Sequence, residues 1–293
     1  MTYWSHIAEH ISQSLHKPFH IQSTQAMGGG CINQTFCITG SDGQTYFVKV
    51  NQRALKTMFQ VEYDSLNELN TAQCARIPKP ICFGNNHSHS YLVLEYLNMH
   101  PCGDQIKLAE VLAQQHRITQ SQYGWYQNNI IGSTPQSNKQ HTCWLSFWRE
   151  ERLLPQIKRL YDKGLGSTLK PFSEPLLNSL ETLLQDYRPS ASLLHGDLWS
   201  GNYAFSEQGE PIFFDPALYY GDRETDLAMT ELFGGFSTEF YQHYQSIFPL
   251  DDAYAQRKTL YNLYHILNHA NLFGSSYLAQ ATRMMQKLCS MYF

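Results

Sequence analysis

Apolar positions along the chain follow two different periods, and the change between them divides the sequence. Trp4, Ile7, Ile11 and Leu15 recur at helical spacing, which predicts an opening amphipathic helix closed by Pro18. From Phe19 to Val50 the pattern shortens to strand-like runs: "FHIQSTQAM", "CINQTFCIT" and "QTYFVKV", broken by "GGG" and by "GSDG", the second a hairpin signal. A helix is expected over about 58–70, followed by strands in "PICFG" and "YLVLEYL". The segment "NMHPCGD" then reads as a linker or hinge. Beyond it the spacing is mostly helical, over about 104–118, 143–162, 173–187, 223–233, 237–247, 252–270 and 274–291. The exception is "NYAFSEQGEPIFFD", two short strands around Gln208 and Gly209. The expected layout is α+β: a small β-rich part, 1–97, and a larger mainly helical part, 98–293, with a ligand cleft between them.

Composition narrows the function classes. The 293 residues are 42 % hydrophobic and 16 % charged, which describes a globular chain. A net charge of −4 supplies no global basic field for nucleic acid or an acidic membrane surface, so neither is expected as a partner. The opening "MTYWSHIAEHISQSL" lacks the basic-then-apolar order of a secretory signal, and no run approaches the roughly 18 apolar residues of a membrane span. The seven cysteines are scattered without a Cys-x-x-Cys pair, which points to reduced thiols and a cytoplasmic protein.

The stretch "SLLHGDLWSGN" runs from two leucines straight into polar groups. Asp197 and Asn202 lie in one loop, and Asp215 follows the strand "PIFF" after a hairpin, which can turn Asn202 and Asp215 toward one point. An amide oxygen and a carboxylate make a hard, oxygen-only cation site suited to Mg²⁺. An aspartate, an asparagine five positions on and a second aspartate beyond a hairpin match the phosphoryl-transfer template of protein kinases. Lys49, in the strand "YFVKV", and Glu62, on the following helix, match the lysine–glutamate pair that holds ATP phosphates. Gly28, Gly29 and Gly30 offer backbone amides to phosphates, although "GGGCINQTF" is not Gly-x-Gly-x-x-Gly. His195 has no chemical step in this template and is expected to fix the loop. A zinc hydrolase with His195 and Asp197 as ligands would need further ligands at convincing spacing, and none is evident.

These residues carry a resemblance. "LLHGDLWSGN", "FDPALYYGDRETDLAMTELFGGF", "LYHILNH", "GGGCINQTF", "FVKV", "IGSTPQSN" and "WLSFWREERLLPQ" are similar to the fructosamine kinase (ketosamine-3-kinase) family over nearly the whole chain. The tryptophan after His-Gly-Asp-Leu and the Asp-Pro-Ala separate this family from the related choline and aminoglycoside kinases. The resemblance implies a two-lobed protein-kinase-like fold, its N-lobe binding nucleotide. It implies ATP-dependent phosphorylation of the sugar 3-hydroxyl of ketosamines, free or protein-bound, after which the adduct falls apart and the amine is deglycated. Carried over, Asp197 is the catalytic aspartate, Asn202 and Asp215 the metal ligands, and Lys49 and Glu62 the phosphate-holding pair. The backbone at Glu95, Tyr96 and Leu97 is the adenine hinge. In one departure, "LAQQH" places Gln115 where the family commonly has leucine, which puts local packing in doubt.

Other assignments stay open at this level. Trp199 either stacks on the sugar or covers the loop. Asp226 is expected to accept backbone hydrogen bonds from the catalytic loop. Asp222 and Glu224 are candidates for the substrate ammonium, or else solvated acids at a helix start. Cys31 either packs as a small apolar residue or, beside Lys49 and the glycines, is a redox-sensitive thiol, so that the chain is a monomer or a redox-linked dimer. The rival functions are a kinase of choline, an amino alcohol or an aminoglycoside, and a nucleotide-binding regulator without catalysis.

Overall fold

The structure is a computed structural model and describes residues 3–28, 32–184 and 186–290. The chain divides into two compact units. The first holds 1–104 together with 203–216, and the second holds 105–202 and 217–293.

The first unit is built on a five-stranded antiparallel sheet of order β1-β2-β3-β5-β4. Its strands are β1 (Ile21–Met27), β2 (Gln34–Gly40), β3 (Thr45–Gln52), β4 (Pro80–Asn85) and β5 (His89–Glu95). Helix α1 (Tyr3–Leu15) puts Ile7 and Ile11 into a cluster with Phe19, Ile38, Val48, Val50, Cys82, Tyr91 and Val93. Fully burying an isoleucine contributes about 2 kcal/mol, so two adjacent turns suffice to anchor this helix. His10 Nδ1 and the Tyr91 hydroxyl, 2.8 Å apart, add a polar tie. Helix α2 (Lys56–Ala72) lies between β3 and β4 in sequence and buries Phe59, Leu66 and Leu69.

The division at 97/98 expected from sequence differs from these units in two ways. The first unit runs on to 104, and it also takes the hairpin of β10 (Tyr203–Phe205) and β11 (Pro211–Phe213). Backbone pairing explains both. Arg76 bridges β11, with Arg76 N–H donating to Pro211 O at 3.0 Å and Phe213 N–H to Arg76 O at 3.0 Å. His100 exchanges two bonds with Phe205, at 2.8 and 2.9 Å. A Cβ on Gly103 would collide with the Phe205 ring, so the former linker is packed on the hairpin.

The second unit is mainly helical: α3 (Gln105–His116), α4 (Trp144–Phe147), α5 (Leu154–Leu160), α6 (Gly166–Leu184), α7 (Glu224–Leu232), α8 (Thr238–Ile247), α9 (Tyr254–Phe273) and α10 (Ser275–Ser290). Two π-helical turns, Trp148–Leu153 and Tyr161–Leu165, interrupt the run expected over 143–162. Helix α6 begins well before the expected start and carries Pro171 and Pro175 inside it. A small sheet of order β12-β9-β6 joins β6 (Thr119–Gln120), β9 (Ala191–Leu194) and β12 (Tyr219–Gly221), while β7 (Asn129–Ile131) pairs with β8 (Thr134–Gln136). Gln115, the polar residue at an apolar position, is buried and donates from Nε2 to Leu193 O at 3.4 Å. Among the described residues, no helix is long and apolar enough to cross a membrane. The six described cysteines are all free thiols.

Candidate active site

In the first unit, strand alternation aims the key lysine. Val48 and Val50 join the cluster under α1, so Lys49 between them projects from the opposite sheet face. Glu62 follows Phe59 by three residues and precedes Leu66 by four, placing a carboxylate within the buried stripe of α2. Lys49 Nζ donates to Glu62 Oε1 at 2.6 Å and to Asp215 Oδ1. Burial alone would lower the Lys49 pKa, but the two carboxylates hold the ammonium charged and raise it. Glu62 is pushed up by its own burial, against the pull of Lys49. Asp215 stands just past β11 with a left-handed φ of 55°, a conformation aspartate tolerates better than most residues. Its side chain stays 49 % exposed, so the lysine leaves it open to a further ligand.

Glu95 closes β5, its N–H donating to Lys79 O at 2.8 Å. Its carboxylate accepts from Arg76 and, at 3.2 Å, from the Lys79 amide. The carboxylate is thus committed to its own unit. Tyr96 and Leu97 continue beyond the strand, half-buried. Among the described residues, a Cβ on Gly28 would meet no atom within 4 Å. Gly29, Gly30 and Cys31 lie outside the described residues.

In the second unit, the fully buried strand β9 delivers His195, Gly196 and Asp197. Gly196 takes a φ of 82°, and a Cβ there would collide with the Ala217 carbonyl. Only glycine meets both demands. Asp226, in the first turn of α7, accepts from the His195 amide at 2.8 Å and the Gly196 amide at 2.9 Å. Burial would raise the Asp226 pKa, yet the His116 bond at 3.2 Å and the loop amides hold it below the usual carboxylate range. Burial lowers the His116 pKa, so its neutral ring donates from Nε2 to Asp226 and accepts the Tyr244 hydroxyl at Nδ1, 2.8 Å away. His195 is buried, and its Nδ1 accepts the Asp197 amide at 3.3 Å. Asn202 donates from Nδ2 to Asp197 O at 2.8 Å and to Asp197 Oδ2 at 3.3 Å. The loop therefore presents a half-buried carboxylate on a backbone clamped from below. Trp199 packs over Gly201, where a Cβ would strike its ring, yet keeps 38 % of its surface exposed.

The structure corrects the reading of Asp222 and Glu224 as acids open to a substrate amine. Both are buried. Glu224 is gripped by Arg257, at 2.8 and 3.0 Å, while Asp222 accepts the Tyr261 hydroxyl at 2.6 Å and the Glu224 amide at 3.0 Å. Burial and the neighbouring Glu224 push Asp222 up to about 7. A folded pKa above the unfolded value of about 3.9 favours the fold below that value and loses this contribution as pH rises through about 7. Asp222→Asn should therefore flatten the fall in thermal stability between pH 5 and pH 8 by about 3 °C. Identical slopes for the two proteins in a melting series would contradict this.

Sequence reasoning missed the amides behind the segment that follows Asp215. Asn129 donates to Leu218 O at 2.7 Å and Gln136 to Ala217 O at 3.1 Å. Arg152, fully buried, stacks 4.0 Å from the centre of the Tyr219 ring. The signal was present as clustered amides in "QNNIIGSTPQSN" and as Arg152 in "WREERLLPQ", but nothing in their spacing identified what they touch.

Comparison with known proteins gives the family. The fructosamine kinase family profile matches residues 3–291, and the chain belongs to that family. It is thus an ATP-dependent kinase with an alcohol group as phosphoryl acceptor. A "Probable ketoamine kinase" of Synechocystis sp. is 46 % identical over 289 residues, covering 97 % of this chain and 96 % of its own length. The chloroplastic protein-ribulosamine 3-kinase of Oryza sativa subsp. japonica is 36 % identical, covering 90 % of this chain and 78 % of its own. A crystal structure from Haemophilus somnus 129PT, assigned as a fructosamine-3-kinase, superposes with a TM-score of 0.89 at 31 % identity, covering 97 % of each chain.

Proposed function

We propose that this kinase phosphorylates the sugar 3-hydroxyl of ketosamines, the ribulosamine, erythrulosamine or fructosamine adducts of amines. The unstable product then releases the amine, so the reaction serves deglycation and protein repair in the cytoplasm. The observation that carries the reading is the presentation of Asp197, its carboxylate tied to Asn202 on a loop clamped by Asp226. The names of the relatives, ketoamine kinase and ribulosamine 3-kinase, support the acceptor class.

In this reading Asp197 orients the attacking hydroxyl and takes its proton late, as the bond to the γ-phosphorus forms and the bond from that phosphorus to the departing ADP oxygen breaks. Asn202 and the Asp226-held amides keep that carboxylate from turning away. Lys49, kept charged by Glu62 and Asp215, offsets negative charge on the phosphates. Positioning and charge neutralisation carry the rate, without a covalent intermediate. Glu95, Tyr96 and Leu97 supply the backbone that receives adenine. Trp199, one face on Gly201, offers its exposed part to the sugar.

The donor chemistry fits magnesium. Asn202 spends its N–H groups on Asp197, which leaves Oδ1 as a ligand, and Asp215 is half open, so both candidate ligands are oxygens. Held by Asn202 and Asp215, the ion would neutralise charge on the nucleotide phosphates. Asp215→Ala should raise the magnesium concentration needed for half-maximal nucleotide binding by about tenfold. An unchanged magnesium titration would remove Asp215 from the ligand set.

The function is tested by ATP consumption against ribulose-, erythrulose- and fructose-lysine, choline and an aminoglycoside. The account expects turnover with at least one ketose-lysine and none with choline or the aminoglycoside. Turnover confined to choline or the aminoglycoside would replace the proposed acceptor.

A further inference from the structure

Asn129, Gln136, Asn138 and Arg152, all buried in the second unit, form one hydrogen-bonded chain behind the segment 217–218. Each link has a fixed direction, because every amide meets a carbonyl that only accepts or a cation that only donates. Gln136 Nε2 must face Ala217 O, 3.1 Å away, and it also donates to Asn129 Oδ1 at 2.7 Å. Asn129 Nδ2 must face Leu218 O, at 2.7 Å. Asn138 Nδ2 donates to Gln127 O at 3.1 Å and to Asn129 Oδ1 at 2.9 Å, while its Oδ1 accepts Arg152 Nη2 at 2.8 Å. At the other end, Gln136 Oε1 accepts the Tyr264 hydroxyl at 2.6 Å. Burial raises the Tyr264 pKa, so the phenol keeps its proton and remains a donor. Donors and acceptors fit in a single order, which makes the chain a rigid mount.

The mount holds the backbone under Asp197. Ala217 N–H donates to His195 O at 3.0 Å. The Ala217 carbonyl, which accepts from Gln136, lies so close to Gly196 that a Cβ there would collide with it. Ala217 is thus wedged between the Gln136 amide and the turn at His195 and Gly196. The left-handed φ of 82° at Gly196 sets the direction in which Asp197 leaves that turn. Asp226 restrains the turn through its N–H groups, and Gln136 restrains it through the Ala217 carbonyl. Placement of this kind matters to rate, since a shift of about 1 Å in a reacting group costs about a hundredfold.

We propose that Gln136 is a positioning residue for phosphoryl transfer: through Ala217 O it holds Gly196, and through Gly196 it sets the place of the Asp197 carboxylate. Its effect falls on the transfer step and not on nucleotide affinity. This rests on the role given to Asp197 above and extends it to the side chain that keeps Asp197 in place.

The test is a double-mutant cycle read by single-turnover transfer from ATP to the ketose-lysine with the highest turnover. Gln136→Met removes the donor and keeps the side-chain length. It should lower the transfer rate about tenfold and leave ATP affinity within about twofold of wild type. In an Asp197→Asn background it should cost less than about twofold, because the position of a carboxylate no longer matters once the carboxylate is gone. A purely structural role would reduce transfer equally in both backgrounds. Tyr264→Phe removes only the hydroxyl that holds Gln136 from behind, and it serves as the second variant should thermal melts show that Gln136→Met does not fold. It should lower transfer about threefold, and that loss should likewise vanish in the Asp197→Asn background. Wild-type transfer by the folded variant, or a loss that multiplies with that of Asp197→Asn, would overturn the positioning role while leaving Asp197 in the chemistry. Transfer by Asp197→Asn alone within about tenfold of wild type would overturn the role of Asp197 and this proposal together.

Discussion

Asp197→Asn is expected to lower kcat about a thousandfold while leaving ATP affinity within about twofold of wild type. The substitution keeps size and shape, and the Asp197 carbonyl still accepts the Asn202 amide. What disappears is the anionic oxygen that orients the hydroxyl and takes its proton. The clamp on the loop is backbone-directed, from Asp226 to the His195 and Gly196 amides, so the fold should persist. Nucleotide titration and single-turnover transfer, measured on the same preparation, separate the two effects. A folded variant with turnover within about tenfold of wild type would remove Asp197 from the chemistry.

Lys49→Met should abolish measurable transfer and also cost about 3 kcal/mol of stability at pH 7, since it strips the cation from a buried carboxylate. Glu62 lies in the apolar stripe of α2 and is already pushed toward its protonated form by burial. Without Lys49 its folded pKa rises further. A raised folded pKa favours the fold at acid pH and loses that contribution as pH rises. The deficit should therefore be smaller at pH 5 than at pH 7, because the lower pH favours the protonated Glu62 that burial already favours. Denaturant unfolding at pH 5 and pH 7 reads this directly. A variant as stable as wild type at pH 7 would show that the lysine–glutamate pair is not a structural partnership.

The sequence-level picture succeeded where the information is local. The helices at 105–116 and 254–273 and the strands of the large sheet stand close to where the apolar runs place them, although only β4 alternates strictly between buried and half-buried positions. Lys49, Glu62, Asp197, Asn202 and Asp215 were legible as candidates because each sits in a short motif. The strands β6 to β9 and β12, of two to four residues, are too short to show a period of two. The hairpin at 203–216 falls to the first unit through pairing with Arg76 and His100, more than a hundred positions earlier, which no local pattern encodes. Asp222 and Glu224 read as solvated acids because their partners, Tyr261 and Arg257, arrive two helices later, on α9. His116 and Gln115 look like polar intrusions in an apolar helix until the carboxylate of Asp226 and the carbonyl of Leu193 are placed beside them.

The central claim is that this chain transfers phosphate to the 3-hydroxyl of a ketosamine. The direct measurement is to incubate ribulose-lysine with ATP and magnesium and follow the mixture by phosphorus and proton NMR. The account predicts a new phosphate ester coupled to the proton on sugar carbon 3, followed by the appearance of free lysine as that ester decays. Phosphate on another hydroxyl, or ATP hydrolysis to inorganic phosphate with the ribulose-lysine unchanged, would contradict it.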